Sequence, residues 1–313
     1  MVLSKNPGLR HYMWGRGRDL NPGAGLHRYD KTPTVSYHLP LSEGLVEGFA
    51  DFLRVDLRLS EVTVKEHLFE VKRFLEWFRD SGFRNVSREV VREYLKRFDG
   101  CSAYTYSNVL KALRRFFRDY LEMPMVVESF RLPRKPFKLK KVPTKDDLRR
   151  FYEALERPIE RALFLMYATT GLRKREVLGL KISDVDFNKR MVMPNHDSTT
   201  KRSYVTFYND EAEKALKEYL TSRHDGSIKL FRISGKTFLK FWKRAQLKTG
   251  LRLTPQKLRE WFCSEMARLG VSDSYIDAFC GRVPRSVLAR HYLDLSIERL
   301  KEVYDKACLK VLS

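Results

Sequence analysis

From Leu41 onward, apolar residues recur at three- and four-residue steps, the spacing that lines one face of a helix. Leu45, Phe49, Phe52 and Leu53 predict a helix over about 42–56, and Val64, Leu68, Val71, Leu75 and Phe78 a second over about 60–80, with Gly82 placed to stop it. A third, over about 87–98, starts behind Ser87, whose hydroxyl can cap the amide of Val90. Tyr106, Val109, Leu113, Phe116, Phe117 and Tyr120 predict a fourth over about 102–121. Short links between the four imply a compact helical domain. Residues 1–40 carry Pro7, Pro22, Pro33 and Pro40 with scattered glycines, sustain no period, and read as poorly structured.

The run from Arg131 to Pro143 breaks the helical pattern: its prolines forbid helix, and its basic residues are matched by no acid. It reads as an extended linker, either a solvated spacer or a strap along a polyanion. Thr144-Lys-Asp-Asp then opens a second region with a capping residue and two acids in the first turn. Helices follow near 157–170 and 174–181. The period then changes to that of strands at Arg190-Met-Val-Met-Pro and Ser203-Tyr-Val-Thr-Phe-Tyr, joined by a polar turn from Asn195 to Arg202. Helices resume near 210–222, 235–248, 255–269, 273–280, 286–292 and 296–308. The last is amphipathic through Ile297, Leu300, Val303, Tyr304 and Ala307. Its apolar face can pack on its own domain or on a neighbouring copy, and docking on a neighbour is the reading preferred.

The domain plan is therefore 1–40 poorly structured, 41–125 a helical domain, 126–143 a basic linker and 144–313 a second domain. The fold class is mainly α with a small β-hairpin. The chain's 313 residues, 43% hydrophobic and 32% charged, suit two domains with separate cores. No stretch of apolar residues is long enough to span a membrane, and the N-terminus lacks the apolar centre of an export signal, so a cytoplasmic protein is expected.

Charge narrows the partners. Lys and Arg number 61 against 39 acids, a net charge of +22. A heat-adapted surface accounts for many charges but not for so one-sided a balance, which favours a polyanion such as DNA. The four cysteines, Cys101, Cys263, Cys280 and Cys308, form no CxxC pair and lack histidines at zinc-ligand spacing. They predict no metal and read mostly as small core residues in a reducing compartment.

Cutting a phosphodiester without a metal requires a nucleophile, fixed positive charge around the pentavalent phosphorus, and a proton donor for the departing oxygen. Arginine suits the second task because its planar fork grips two phosphate oxygens and stays charged. Lysine suits the third when neighbouring cations lower its pKa. The second region offers Arg173 in Thr-Gly-Leu-Arg, behind a glycine placed to break the preceding helix. It offers Arg259 in Leu253-Thr-Pro-Gln-Lys-Leu-Arg, where Thr254 and Pro255 make a helix start. Further on it reads Cys280-Gly-Arg-Val-Pro, and then His291-Tyr292.

Together these segments resemble the conserved boxes of the tyrosine recombinases, and the Gly-Arg-x-Pro and His-Tyr elements resemble archaeal viral and plasmid integrases of the spindle-shaped-virus type. Thr-Gly-Leu-Arg173 with Glu176, Leu180 and Asp184 resembles the first box, and Gln256-x-x-Arg259 the His-x-x-Arg of the second. Gly281-Arg282 stands where the family has Gly-His, with Tyr292 ten residues further on. The resemblance covers roughly 41–308. It implies a SAM-like core-binding domain, a catalytic domain, Arg173, Arg259 and Arg282 as phosphate ligands, and Tyr292 as nucleophile. It also implies a lysine on a hairpin turn as proton donor. Lys201 is the lysine of the predicted turn, with Lys189 the alternative. Gln256 and Lys257 occupy the corner where the family's histidine assists proton transfer, and Gln256 and Arg282 both depart from that pattern. Arg134, Lys135, Lys138, Lys140 and Lys141 of the linker are candidate backbone contacts, as are Gln256 and Lys257.

The resemblance thus implies a recombinase acting on double-stranded DNA, self-associating into a tetramer, without cofactor or membrane. Two alternatives remain: a type IB topoisomerase-like relaxing enzyme, and a DNA-binding protein that has lost catalysis, which the absent histidines motivate. One motif points to a target. Arg18-Asp-Leu-Asn-Pro-Gly23 can be back-translated as CGG-GAT-TTG-AAC-CCG-GGN, which contains the complement of GGTTCAAATC, a tRNA T-arm sequence. Integrases of the spindle-shaped-virus type carry their attachment site in their own gene. The expected role is therefore integrating or excising a mobile element at a tRNA gene.

Overall fold

A computed structural model describes residues 35–39, 43–134, 141–194, 204–224, 226–282 and 293–313. The chain divides into two compact units, Met1–Lys138 and Leu139–Ser313.

In the first unit, α1 (Glu43–Asp51) runs on through a π-helical turn, Phe52–Asp56. Then come α2 (Glu61–Asp80), α3 (Arg88–Lys96) and α4 (Ala103–Arg114), the last also continuing into a π-helical stretch, Arg115–Tyr120. Serines start three of the four: Ser60, Ser87 and Ser102 accept from the amides of Thr63, Val90 and Thr105, satisfying donors that the first helical turn leaves unpaired. The apolar stripes meet in one aromatic core. Phe74 lies edge-on to both Tyr94 and Phe117, with centroids 5.0 and 5.3 Å away.

The expectation of no structure up to residue 40 fails at its end. Ser36–His38 forms β1, paired antiparallel with β2 (Asn85–Ser87), and Leu39 is buried in the helical core. Three residues are too few for alternation to register in sequence.

The second unit is built around α6 (Pro158–Thr170), in which every residue from Ala162 to Thr170 is buried. A helix apolar on all sides belongs inside a domain. α5 (Lys145–Glu153) precedes it behind the predicted cap, a reciprocal pair in which Thr144 and Asp147 each accept the other's backbone amide. α7 (Lys174–Gly179), α8 (Asp210–Thr221), α9 (Gly235–Thr249) and α10 (Pro255–Arg268) pack around it, and α11 (Asp273–Phe279) packs on α10. Glu160, fully buried on α6, is not left without partners: Arg157, Arg244 and the Glu156 amide all donate to its carboxylate.

The two predicted strands are present but shorter, β4 (Met191–Val192) and β5 (Thr206–Phe207). A third, β3 (Val185–Asp186), pairs with β4, so the hairpin is part of a three-stranded sheet of order β3-β4-β5. The turn residues 195–203 and the expected helix at 286–292 lie outside the described residues.

The last helix, α12 (Ile297–Lys306), corrects another expectation. Leu300, Tyr304 and Ala307 are buried in the core of their own unit, and Tyr304 Oη donates to the Thr169 carbonyl on α6 at 2.8 Å. Most of the face expected to dock on a neighbour is therefore covered within its own unit, with Ile297 left exposed. Beyond it, Leu309 and Val311 are buried too, while Glu211 accepts from the amides of Val311 and Leu312. The cysteine expectation also fails in part: Cys280 is buried and Cys263 half-buried, but Cys101 and Cys308 are exposed.

Candidate active site

Arg173 sits where the sequence puts it, between two helices. Gly171 ends α6 in a left-handed conformation (φ 66°), and Arg173 is the first, extended residue before α7. Glycine is required at 171 twice over. A Cβ there would lie 2.6 Å from the Phe262 ring, and the positive φ strains other residues. Glu176, one turn on, accepts from the Arg173 amide at 2.7 Å and from its Nη1 at 2.9 Å. Arg173 is thereby aimed by the helix that follows it.

Arg259 lies on α10, whose start is the predicted Thr254-Pro255: the Thr254 hydroxyl accepts from the Lys257 amide. The Arg259 side chain is buried, at 3% exposure, which makes its partners decisive. Nη1 donates to the Gly171 carbonyl, and Nη2 to the Cys280 carbonyl at 2.8 Å. Nη1 also stands 4.0 Å from Glu176 Oε2, so one carboxylate faces both arginines. Burial works against charge on Glu176, yet the hydrogen bonds from Arg173 and Tyr204 hold its carboxyl below the usual range.

Arg282 follows Gly281 at the end of α11. Its Nη1 pairs with Asp277 at 3.0 Å, and its Nη2 lies 3.8 Å from Cys263 Sγ. Arg259 and Arg282 both line a cavity of about 350 Å³ together with Val142, Gln256, Glu260 and Cys263. Arg173 and Arg259 thus share Glu176, and Arg259 and Arg282 share the cavity. Gln256 is exposed at the cavity; Lys257 is tied to Glu260 at 2.9 Å and to the Lys141 carbonyl at 3.4 Å. Arg134 and Lys141 are exposed. Lys135, Lys138, Lys140, Lys201 and Tyr292 lie outside the described residues.

Sequence reasoning passed over Tyr204. Its hydroxyl donates to Glu176 Oε2 at 2.9 Å, and its ring lies against Gly281, where a Cβ would come within 2.3 Å of it. Burial and the adjacent Glu176 charge push its phenol far above the ordinary value, so it stays protonated and donating. The signal was weak: an aromatic directly after a polar turn is common in strands. The Cys263–Cys280 proximity, Sγ to Sγ 3.5 Å, was also missed, because residues 17 apart carry no spacing rule.

The phage integrase family matches residues 141–299, more than half of the chain, and its N-terminal SAM-like domain matches residues 46–121. The tyrosine recombinase XerA of Pyrococcus furiosus is 26% identical over 281 residues, covering 86% of this chain and 96% of that protein. XerA of Thermococcus onnurineus is 27% identical over 277 residues, covering 85% and 95%. Among solved structures, a lambda integrase tetramer bound to a Holliday junction has a similar fold. Its TM-score is 0.62 at 15% identity, over 81% of this chain and 80% of that one. The Tn1549 transposon integrase in complex with circular intermediate DNA gives 0.59 at 17% identity, over 82% and 98%. The fold and sequence relationships define a tyrosine-type site-specific recombinase, and the chain belongs to the phage integrase family.

Proposed function

We propose that this recombinase cuts and rejoins double-stranded DNA through a 3′-phosphotyrosyl intermediate on Tyr292. The observation that carries the reading is the convergence of Arg173 and Arg259 on one buried carboxylate, with Arg282 at the same cavity. Paired guanidiniums held by backbone and carboxylate partners are preorganised for a phosphate whose charge grows in the transition state. Tyr292 Oη attacks phosphorus, its proton passing to solvent, and displaces the 5′ oxygen, which Lys201 protonates. A 5′ hydroxyl from a second duplex then attacks the phosphotyrosine and restores the phosphodiester. The phosphotyrosyl link retains the energy of the broken bond, so the cycle consumes neither ATP nor a divalent cation.

Four copies act on two duplexes, in the cytoplasm where the DNA lies. The net charge of +22 supplies long-range attraction to the duplex, and the basic linker, with Arg134, Lys135, Lys138, Lys140 and Lys141, follows its backbone. The related lambda integrase is a tetramer on a Holliday junction, which supports this assembly. The target is a host tRNA gene, matched in part by an attachment site in the codons for Arg18–Gly23, and the element integrated or excised is viral or plasmid DNA of an archaeal host.

A nicked suicide substrate traps the covalent complex. Mass spectrometry of the trapped peptide is expected to find DNA on Tyr292, and Tyr292→Phe to abolish the adduct while retaining binding. DNA on another tyrosine overturns the assignment; no adduct with binding intact identifies a protein that has lost catalysis. Relaxation of supercoils without exchange between duplexes identifies a topoisomerase-like enzyme. The nucleotide sequence of the gene tests the tRNA target directly.

A further inference from the structure

Cys263 on α10 and Cys280 at the end of α11 face one another at 3.5 Å between sulfurs, beneath the arginine cavity. The pair is asymmetric. Cys263 lines the cavity and is half-buried, whereas Cys280 is fully enclosed. A reagent in the cavity therefore meets Cys263 first. The hydrogen bond shared with Cys280 and the Arg282 and Arg259 guanidiniums draw the Cys263 thiol down, while the same contact and burial push the Cys280 thiol up. Such an arrangement pairs an attacking thiol with a resolving one.

We propose that Cys263 and Cys280 form a dithiol–disulfide site that takes a small disulfide as oxidant and, when closed, loosens the arginine cluster. The Cys263 thiolate attacks one sulfur of the oxidant, giving a mixed disulfide and releasing one thiolate. The Cys280 sulfur then attacks Cys263 Sγ, its proton passing to solvent, and expels the second thiolate. Two protein thiols are oxidised, one small disulfide is reduced to two thiols, and the two protons released end on them.

The consequence follows from what each cysteine holds. A disulfide requires about 2.05 Å between sulfurs, so the pair must close by roughly 1.5 Å. Cys280 cannot move alone. Its carbonyl accepts from Arg259 Nη2, its sulfur already limits space at Gly171, and Gly281 behind it is wedged against the Tyr204 ring. Closure therefore shifts the peptide that orients Arg259 and removes the sulfur contact of Arg282. The bond itself is independent of the proposed DNA chemistry; its effect on cleavage rests on that reading.

The test uses the full chain carrying Cys101→Ser and Cys308→Ser, which removes the two exposed thiols. The protein is treated with oxidised glutathione and mapped without reduction, and cleavage of a suicide substrate is measured before and after. A linked peptide joining residues 263 and 280 is expected, with cleavage at least tenfold slower and restored by dithiothreitol. In Cys263→Ala the rate is expected to be the same with and without oxidant. Free thiols at 263 and 280 after treatment overturn the site, and a formed link with unchanged cleavage overturns the regulation. Absence of cleavage in the reduced protein, with the link forming, counts against the DNA chemistry and leaves the dithiol site standing.

Discussion

Tyr204 donates to Glu176 across 2.9 Å, and this contact joins the segment that leads into β5 to the helix that aims Arg173. Glu176 is the shared partner of the site. It holds the amide and guanidinium of Arg173 with one hand and stands 4.0 Å from Arg259 with the other. Removing only the hydroxyl leaves the ring against Gly281, so Tyr204→Phe isolates the hydrogen bond. A bond to a charged acceptor contributes about 1.5–3 kcal/mol, and a share of that in the transition state slows cleavage roughly tenfold. Cleavage under saturating DNA is expected to fall by about that factor while DNA affinity stays within about twofold. Wild-type cleavage in Tyr204→Phe would show that the contact orients nothing.

Glu176 also makes stability depend on acidity. Its folded carboxyl titrates below its ordinary value of 4.5, because the hydrogen bonds outweigh its burial. The stabilisation is then complete above that value and is lost as pH falls through the lower, folded one. Glu176→Gln cannot titrate. It is expected to be less stable than wild type at pH 7, with the gap narrowing only below about pH 4.5. Denaturant melts across a pH series measure the gap, and other carboxylates cancel between the two proteins. A gap that stays constant down to pH 3 would exclude Glu176 as the source.

The sequence announces parts of this site that depend on local chemistry. Thr254-Pro255 and Thr144-x-x-Asp147 are helix starts because hydroxyl and amide lie within one turn, and Gly171 ends α6 because the chain must turn left there. Arg173 and Arg259 follow from those boundaries. What stays hidden depends on long-range placement. Nothing near Cys263 in sequence says that Cys280 will lie 3.5 Å away, and Tyr204 reads as any strand aromatic until Glu176 is found beside it. β1 is invisible for a related reason: its pairing with Asn85–Ser87, not its own pattern, makes Ser36–His38 a strand. The apolar stripe of α12 marks a contact face, but amphipathicity does not say which molecule provides the other half.

Gly281→Ala tests the wedge between the residue just past α11 and the segment that leads into β5. The residue sits at φ 62°, and its new Cβ would lie 2.3 Å from the Tyr204 ring. Left-handed strain costs roughly 1–2 kcal/mol, and overpacking a further 1–3. The second part needs the ring and the first does not. In a Tyr204→Leu background the cost of Gly281→Ala is therefore expected to shrink but not vanish. Equal costs in both backgrounds, measured as a double-mutant cycle by urea denaturation, would mean the ring and the glycine are not coupled.

The C-terminal tail gives the sharpest test of how α12 is used. Leu309 and Val311 are buried in the core of their own unit, and Lys310 pairs with Asp210 at 2.6 Å. Asn209 donates to the Leu309 carbonyl, and Glu211 accepts two tail amides, so the tail also satisfies the polar groups at the start of α8. Deleting residues 309–313 removes two buried apolar side chains, each worth about 1.5–3 kcal/mol, and leaves Asn209 and Glu211 without these partners. A loss of roughly 4 kcal/mol is expected in the free protein. Because every contact lies within one chain, the loss must be the same at low and high protein concentration. A tail exchanged between copies predicts the opposite: a full-length melting temperature that rises with concentration, and a truncated protein that no longer shows the rise. Melting curves of both forms over a hundredfold range of concentration separate the two arrangements. Concentration-dependent melting of the full-length chain alone would mean that α12 leaves its own unit when copies meet.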